Sequence, residues 1–127
     1  MQTELFEVDP LSDNRKLYAR AAEALGAGAL VGIPTETVYG LGADALNPEA
    51  VARIFEAKGR PSFDPLIIHV HHGSEVEKYT AVPEGLKDLV YTLASRFWPG
   101  PLTIVMRAKD CVPEIVRAGG ETVGLRC

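Results

Sequence analysis

Lys58 and Arg60, two cations separated by one residue, form the strongest chemical pair in the sequence. They lie between the end of a predicted helix and Pro61, so the chain around them is restricted in conformation. An arginine offers phosphate oxygens a planar fork of donors, and a lysine offers a point charge. The pair could therefore hold a polyanion, although a solvated helix end would use the same residues, with the lysine favoured by the helix dipole. No GxxxxGK[ST] motif occurs, which excludes a P-loop.

Threonines that follow an apolar run form a second candidate group. Thr35 and Thr37 come just after the segment Ala29–Ile33, and a hydroxyl there can both donate to and accept from a small polar ligand. Threonine is also common in turns, and Glu36 could be no more than a first-turn carboxylate. Tyr39 could wall a pocket or pack with its hydroxyl outward, and the sequence favours neither.

The three histidines, His69, His71 and His72, do not predict a metal site. On an extended strand His69 and His71 point to one face and His72 to the other. Zinc needs three or four ligands, and no thiol or carboxylate is placed to complete such a set. No serine–histidine–aspartate or cysteine–histidine arrangement is evident. The sequence therefore predicts residues that hold ligands and none that acts as a covalent catalyst.

Capping signals define the helices that would position these side chains. Asn47 is a predicted cap, Pro48 suits the first helical position, and Gly59 is a predicted left-handed stop. Further helices are predicted from Ser12 or Asp13 to Leu25 (with Gly26 as the stop and Leu17, Ala21, Ala24 and Leu25 as a buried stripe), from Ser74 to Lys78, from Leu86 to Phe97 and, as a single turn, from Pro113 to Arg117.

Short apolar runs between these helices are predicted as sheet strands. They are Ala29–Ile33, Leu66–Val70, Leu102–Met106 and Thr122–Leu125, with Gln2–Val8 as a weaker candidate for an edge strand. A continuous apolar run such as Ala29–Ile33 is typical of a strand covered on both faces. Alternating strands and helices predict an α/β fold with a twisted, mixed or largely parallel sheet flanked by helices.

Composition limits the remaining possibilities. The 127 residues are enough for one domain with a core, and the net charge of -4 argues against broad neutralisation of nucleic-acid phosphates. No apolar run is long enough to span a bilayer, and the charged first residues lack the apolar core of a signal peptide. Cys111 and Cys127 match no zinc spacing, so two reduced thiols in a cytoplasmic protein are predicted.

Four motifs in order, PTETVYGLGAD, KGRPSFDPL, WPGPLT and TVGLR, resemble the threonylcarbamoyl-adenylate synthase (YrdC-like) family. The resemblance implies one YrdC-like domain over residues 1–127 and synthesis of threonylcarbamoyl-AMP and pyrophosphate from threonine, bicarbonate and ATP. The product serves a transferase complex that modifies tRNA. Family members continue into a later Ser-x-Asn motif that this sequence lacks, so the domain is expected to be incomplete.

The same resemblance assigns roles to individual residues. It implies that ATP is held by Lys58, Arg60, Ser62 and Thr122, and threonine by Thr35, His69 and Arg126, with Tyr39 as a pocket wall. Magnesium would be carried by the nucleotide. Trp98, Pro99 and Pro101 are expected to end a helix, and Thr103 is not assigned to the site.

Two further expectations and two alternatives follow. Lys58 and Arg60 are expected to face the same cavity as Thr35. The chain alone is expected to be a poor enzyme that associates, because of exposed apolar surface and an unpaired sheet edge after Thr122–Leu125. The alternatives are a YrdC-like module that binds double-stranded RNA without turnover, and an inactive fragment. The motif PTETVYGLGA argues against a domain of a larger carbamoyl-transfer protein.

Overall fold

The computed structural model describes residues 3–35 and 37–127, and these form an α/β structure. Its helices are α1 (Arg15–Gly26), α2 (Pro48–Lys58), α3 (Val76–Tyr79) and α4 (Lys87–Phe97). Its strands are β1 (Val31–Ile33), β2 (Gly40–Gly42), β3 (Ile67–His69), β4 (Ile104–Arg107) and β5 (Thr122–Arg126). Short 3-10 turns occupy Gly73–Glu75, Glu84–Leu86 and Glu114–Arg117. The predicted α/β class is confirmed, and all four main strand predictions coincide with strands.

The larger sheet has the strand order β3–β5–β4, with β3 parallel and β4 antiparallel to β5. It is a mixed sheet, as predicted. The unpaired edge predicted after Thr122–Leu125 is wrong, because β5 is the central strand and pairs on both sides. The reason is that β4 turns back beside β5 and occupies its second edge. At the end of β4, segment 79–81 forms an isolated antiparallel bridge of Thr80 with Ala108. There the amide of Ala81 donates to the carbonyl of Arg107 at 2.9 Å.

A separate antiparallel hairpin joins β1 to β2, with Ile33 opposite Gly40 and Val31 opposite Gly42. The prediction that this first apolar segment is covered on both faces is wrong, since Ile33 is 41% exposed and Gly32 is also exposed. Among the described residues the hairpin pairs only with itself, so no sheet neighbour covers it. β2 was not predicted because its sequence, Gly-Leu-Gly, lacks the β-branched residues that mark strands.

The larger sheet has one core face and one open face, because successive strand residues point to opposite sides. On the core face Ile68, Val123 and Leu125 are buried against α2, α4 and the turn Glu114–Arg117. We call the other side the open face. It is defined by Ile67 and His69 of β3, Val105 and Arg107 of β4, and Thr122, Gly124 and Arg126 of β5. No residue of this set is buried.

Helix α2 follows its sequence signals closely. The Asn47 side-chain oxygen accepts hydrogen bonds from the amides of Glu49 and Ala50 at 3.1 Å each, and Pro48 is the first helical residue. Gly59 adopts the predicted left-handed conformation with φ of 56°. The helix buries Ala50, Val51, Ile54 and Phe55. This burial anchors the helix end from which Lys58 and Arg60 emerge.

The start of helix α1 differs from the prediction. Helix α1 begins at Arg15 because Ser12 donates to Asp9, and Asp13 accepts from Arg15. Helix α1 also ends one residue later than predicted, at Gly26, and its predicted apolar stripe is only half-buried. Residues 3–8 form no strand, and Gln2 lies outside the described residues.

The turn Gly73–Glu75 after β3 is capped by His72, two residues before the predicted cap Ser74. The His72 ring nitrogen accepts from the amide of Ser74 at 3.2 Å, and the Glu75 carboxylate accepts from the amide of His72. Ser74 therefore lies inside the turn and is not its cap. Across the described ranges, no helix is both long enough and apolar enough to cross a membrane.

Candidate functional site

His69 and Arg126 lie opposite each other on two parallel strands. They are register partners at the carboxyl ends of β3 and β5, and both belong to the open face. In α/β sheets, ligands favour the region beyond the carboxyl ends of parallel strands. A histidine beside an arginine at this position offers donors to a carboxylate, and the arginine can provide a two-point contact. The two residues are 57 positions apart in the sequence, and the register of β3 with β5 brings them together.

Thr122 and Gly124 extend the same face toward the start of β5. Thr122 is exposed and lies opposite Arg107 of the antiparallel strand β4. Arg107 was not predicted as a site residue. The signal that could have identified it is the alternation along β4, which puts it on the same face as Val105 once the register is known. The open face thus carries three of the eight predicted site residues, namely His69, Thr122 and Arg126.

Arg60 is held in place by its own loop. Its guanidinium forms an ion pair with the Asp64 carboxylate at 2.9 Å and donates to the carbonyl of Pro65 at 3.0 Å. Lys58 is the exposed last residue of α2, and Ser62 is exposed in the turn that follows. Pro65 lies two residues before β3, so Arg60 is fastened near the beginning of that strand. A phosphate bound by Arg60 would compete with Asp64.

Thr35 organises the turn between β1 and β2. Its hydroxyl donates to the carbonyl of Val38 at 2.5 Å and accepts from the amides of Thr37 and Val38 at 3.3 Å each. The turn function that the sequence left open for threonine is therefore present. Tyr39 is 81% exposed, so its assignment as a pocket wall stays a prediction. Glu36 lies outside the described residues.

Two surface clefts border the larger sheet. One, of about 470 Å³, is lined by Ala81 and residues 107–111, and the other, of about 740 Å³, lies between segment 70–74 and α4. None of the eight predicted site residues lines either cleft. The expectation that Lys58 and Arg60 share a cavity with Thr35 stays a prediction.

The loop after β3 is fixed by a carboxylate. Glu75 accepts from the amides of His71 and His72 at 2.8 and 3.3 Å, and these hydrogen bonds lower the pKa of the Glu75 carboxyl below its usual value. The loop therefore carries a fixed negative charge directly beyond the end of β3.

Within residues 3–35 and 37–127, no group of three or more histidine, cysteine, aspartate or glutamate side chains could hold a metal ion.

Comparison with known proteins decides the family. Residues 23–127 match the Sua5/YciO/YrdC family model, which carries the description telomere recombination. The chain belongs to the Sua5/YciO/YrdC family. The resemblance inferred from the four sequence motifs is therefore confirmed.

Proteins named threonylcarbamoyl-AMP synthase align with most of this chain. One from Bacillus subtilis is 49% identical over 120 residues, which are 93% of this chain and 34% of that protein. One from Pyrococcus abyssi is 48% identical over 106 residues, which are 84% of this chain and 30% of that protein. The chain therefore spans about one third of the length of these synthases.

Two solved structures agree with the fold of this chain. The crystal structure of Pyrococcus abyssi Sua5 complexed with L-threonine matches with a TM-score of 0.78 at 48% identity, over 84% of this chain and 31% of that one. The solution structure of the MTH1692 protein from Methanobacterium thermoautotrophicum matches with a TM-score of 0.67 at 30% identity, over 99% of this chain and 57% of that one. The fold of the Sua5/YciO/YrdC family is thus present in this chain.

Proposed function

We propose that this chain is the part of an L-threonylcarbamoyladenylate synthase that grips ATP phosphates and threonine. The observation that carries the proposal is the pairing of His69 with Arg126 on the open face, in a chain 48% identical to a protein whose structure was solved with L-threonine. Arg126 would hold the threonine carboxylate, with His69 and Thr35 beside the amino acid. Lys58, Arg60, Ser62 and Thr122 would hold ATP, and the role of Tyr39 is that of a pocket wall.

The reaction needs positioning more than a nucleophilic side chain. The threonine amine and bicarbonate condense to a carbamate with loss of water. A carbamate oxygen then forms a bond to the α-phosphorus of ATP while the bond from that phosphorus to pyrophosphate breaks. Lys58 and Arg60 would stabilise the negative charge that develops on the phosphate oxygens. Arg126 would orient the amino acid for the attack. Magnesium would reach the site on the nucleotide, because this ion is commonly bound through substrate phosphates.

The alternative is a module that binds double-stranded RNA. The net charge of -4 weighs against it, because RNA affinity depends on phosphate neutralisation. A steep loss of RNA affinity with added salt, with no response to ATP or threonine, would favour this alternative.

Delivery of the product to a tRNA-modifying transferase complex in the cytoplasm is part of the main proposal and rests on the family.

Ligand titration of the 127-residue chain tests the proposal. We expect weak binding of both ATP and L-threonine and little release of pyrophosphate, because the synthases named above have about three times the length of this chain. Arg126→Ala should remove threonine binding and spare ATP, whereas Lys58→Ala should do the reverse. Arg96→Ala, at an exposed cation in the last turn of α4, is the control.

Two outcomes would contradict these expectations. If neither ATP nor L-threonine binds the folded chain, the proposed function is wrong. If pyrophosphate release is robust and depends on threonine, the expected poor activity is wrong.

A further inference from the structure

The open face carries an excess of positive charge. Its residues include two arginines, Arg107 and Arg126, and none of them is an aspartate or a glutamate. The whole chain, in contrast, has a net charge of -4. A surface that carries one sign of charge concentrates ligands of the opposite sign. The proposed function uses Arg126 for a carboxylate and leaves Arg107 without a role.

The guanidinium of Arg107 is uncommitted. Within residues 3–35 and 37–127 it makes no hydrogen bond, ion pair or ring contact, and the residue is exposed. Other arginines use their guanidinium groups in ion pairs or in hydrogen bonds to backbone carbonyls, namely Arg15, Arg20, Arg53, Arg60 and Arg117. Arg107 can therefore bind a ligand without losing an existing contact.

Arg107 lies close to Thr122, a residue that the proposed function assigns to ATP. The amide of Ala108 donates to the carbonyl of Glu121 at 2.9 Å, so these two residues form a hydrogen-bonded pair. Such pairs alternate with non-hydrogen-bonded pairs along antiparallel strands, which makes Arg107 and Thr122 a non-hydrogen-bonded pair. In this type of pair the Cα atoms are about 4.5 Å apart and the side chains are closest. A ligand that contacts Thr122 therefore lies within reach of Arg107.

Arg60 approaches the same end of the sheet from the other side. The parallel register of β3 with β5, continued by two residues, places Pro65 level with Thr122. The Arg60 guanidinium donates to the carbonyl of Pro65. Arg60 and Arg107 are thus positioned on opposite sides of β5, at the level of the threonine between them.

Arg107 and Arg126 suit the two ends of one set of substrates. Thr122, the register partner of Arg107, precedes Arg126 by four residues, which correspond to about 14 Å along a strand. In the proposed reaction the amino-acid carboxylate lies at one end and the terminal phosphates at the other, with the α-phosphorus between them. An amino acid on Arg126 and an ATP whose phosphates run toward Thr122 place negative charge at both arginines.

We propose that Arg107 is a further phosphate-contacting residue, which binds the β- and γ-phosphates of ATP from the side of β5 opposite Arg60. The inference rests on the proposed function, which supplies ATP and its contact with Thr122. When the carbamate oxygen bonds to the α-phosphorus, the bond from that phosphorus to the bridging oxygen breaks, and its electron pair stays on pyrophosphate. The Arg107 guanidinium stabilises this charge through charge-assisted hydrogen bonds, for which its planar fork matches phosphate oxygens.

Calorimetric titrations of ATP, inorganic pyrophosphate, AMP and L-threonine into the 127-residue chain, with magnesium present, test the inference. Arg107→Ala should weaken the binding of ATP and pyrophosphate by about 10-fold or more and leave AMP and L-threonine within about twofold. Arg107→Lys should recover part of the affinity, because it keeps the charge but loses the two-point contact. Arg96→Ala removes an arginine from the last turn of α4 and should leave all four affinities unchanged.

The readouts separate this inference from the proposed function. If Lys58→Ala weakens ATP binding but Arg107→Ala leaves ATP and pyrophosphate within twofold, Arg107 has no such role and the proposed function stands. An equal loss for AMP and ATP, or for Arg96→Ala and Arg107→Ala, would also overturn the inference, because the effect would not come from the β- and γ-phosphates. If the unaltered, folded chain binds neither ATP nor L-threonine, both are wrong. Because Arg107 is exposed, its variants should keep the fold.

Discussion

Arg60→Ala is expected to weaken ATP binding, and the ion pair with Asp64 sets how much. A charged hydrogen bond to a phosphate contributes about 1.5–3 kcal/mol. Before ATP binds, Arg60 pairs with Asp64 at 2.9 Å, where the two side chains are 26% and 51% exposed. A partly exposed pair of this kind contributes about 0.2–1 kcal/mol, which ATP must displace. The net loss in Arg60→Ala is therefore about 0.5–2.8 kcal/mol, or roughly 2- to 110-fold in affinity.

The same argument predicts the opposite effect at Asp64. Asp64→Asn keeps the shape of the side chain but removes the charge that competes with phosphate, so ATP affinity should rise by up to about 1 kcal/mol, or roughly fivefold. In the Arg60→Ala background this gain should be largely lost. Isothermal titration of ATP into the four chains of this double-mutant cycle measures the coupling directly.

Two results would refute this account of Arg60. One is an ATP affinity for folded Arg60→Ala within twofold of the unaltered chain. The other is an equal effect of Asp64→Asn with and without Arg60, which would mean that the ion pair does not control the guanidinium. Arg96→Ala controls for the loss of a positive charge elsewhere on the surface, since Arg96 lies in the last turn of α4.

Three further predictions concern stability and pH. Asn47→Ala should lower the free energy of unfolding by about 1 kcal/mol in urea denaturation because two α2 amides lose their acceptor, and Asn47→Asp should retain most of it. Leu125→Ala, at a fully buried side chain, should cost about 2–5 kcal/mol, whereas Val105→Ala on the open face should cost less than about 1 kcal/mol; similar losses would mean that the core face is misassigned. Hydrogen bonds lower the pKa of Glu75, so its contribution to stability is complete above the unfolded-state pKa and is lost as the pH falls through the folded-state pKa. The proton shifts of the two bonded amides should follow this titration by NMR and lose it in Glu75→Gln.

The sequence predicts local elements of this fold better than their assembly. The start and end of α2 follow from Asn47, Pro48 and Gly59, because a cap depends on hydrogen bonds within one turn of chain. The central position of β5 was missed, because strand order depends on pairing with residues far away in the sequence. The β1–β2 hairpin was missed for a related reason, since Gly40–Gly42 becomes a strand only through its partner.

The candidate site was predictable residue by residue but not as a surface. His69, Thr122 and Arg126 were identified through the family motifs, and their common face required the register of β5 with both neighbours. Gly124 and Arg107 were not selected, because a glycine and an isolated arginine carry no chemical signal until alternation assigns them a side of the sheet. That Lys58, Arg60 and Thr35 join this surface stays a prediction.

The central place of β5 also determines the order in which the sheet can assemble. β3 and β4 do not pair with each other, and both need the later segment Thr122–Arg126 as their common neighbour. During synthesis the ribosome releases both outer strands before that neighbour exists. Closing the long loop between Ile67 and Gly124 carries an entropic cost before any contact is gained, which slows folding. Until then Ile68 and its apolar neighbours stay open to water, so the nascent chain passes through a period in which chaperone binding and aggregation compete with folding.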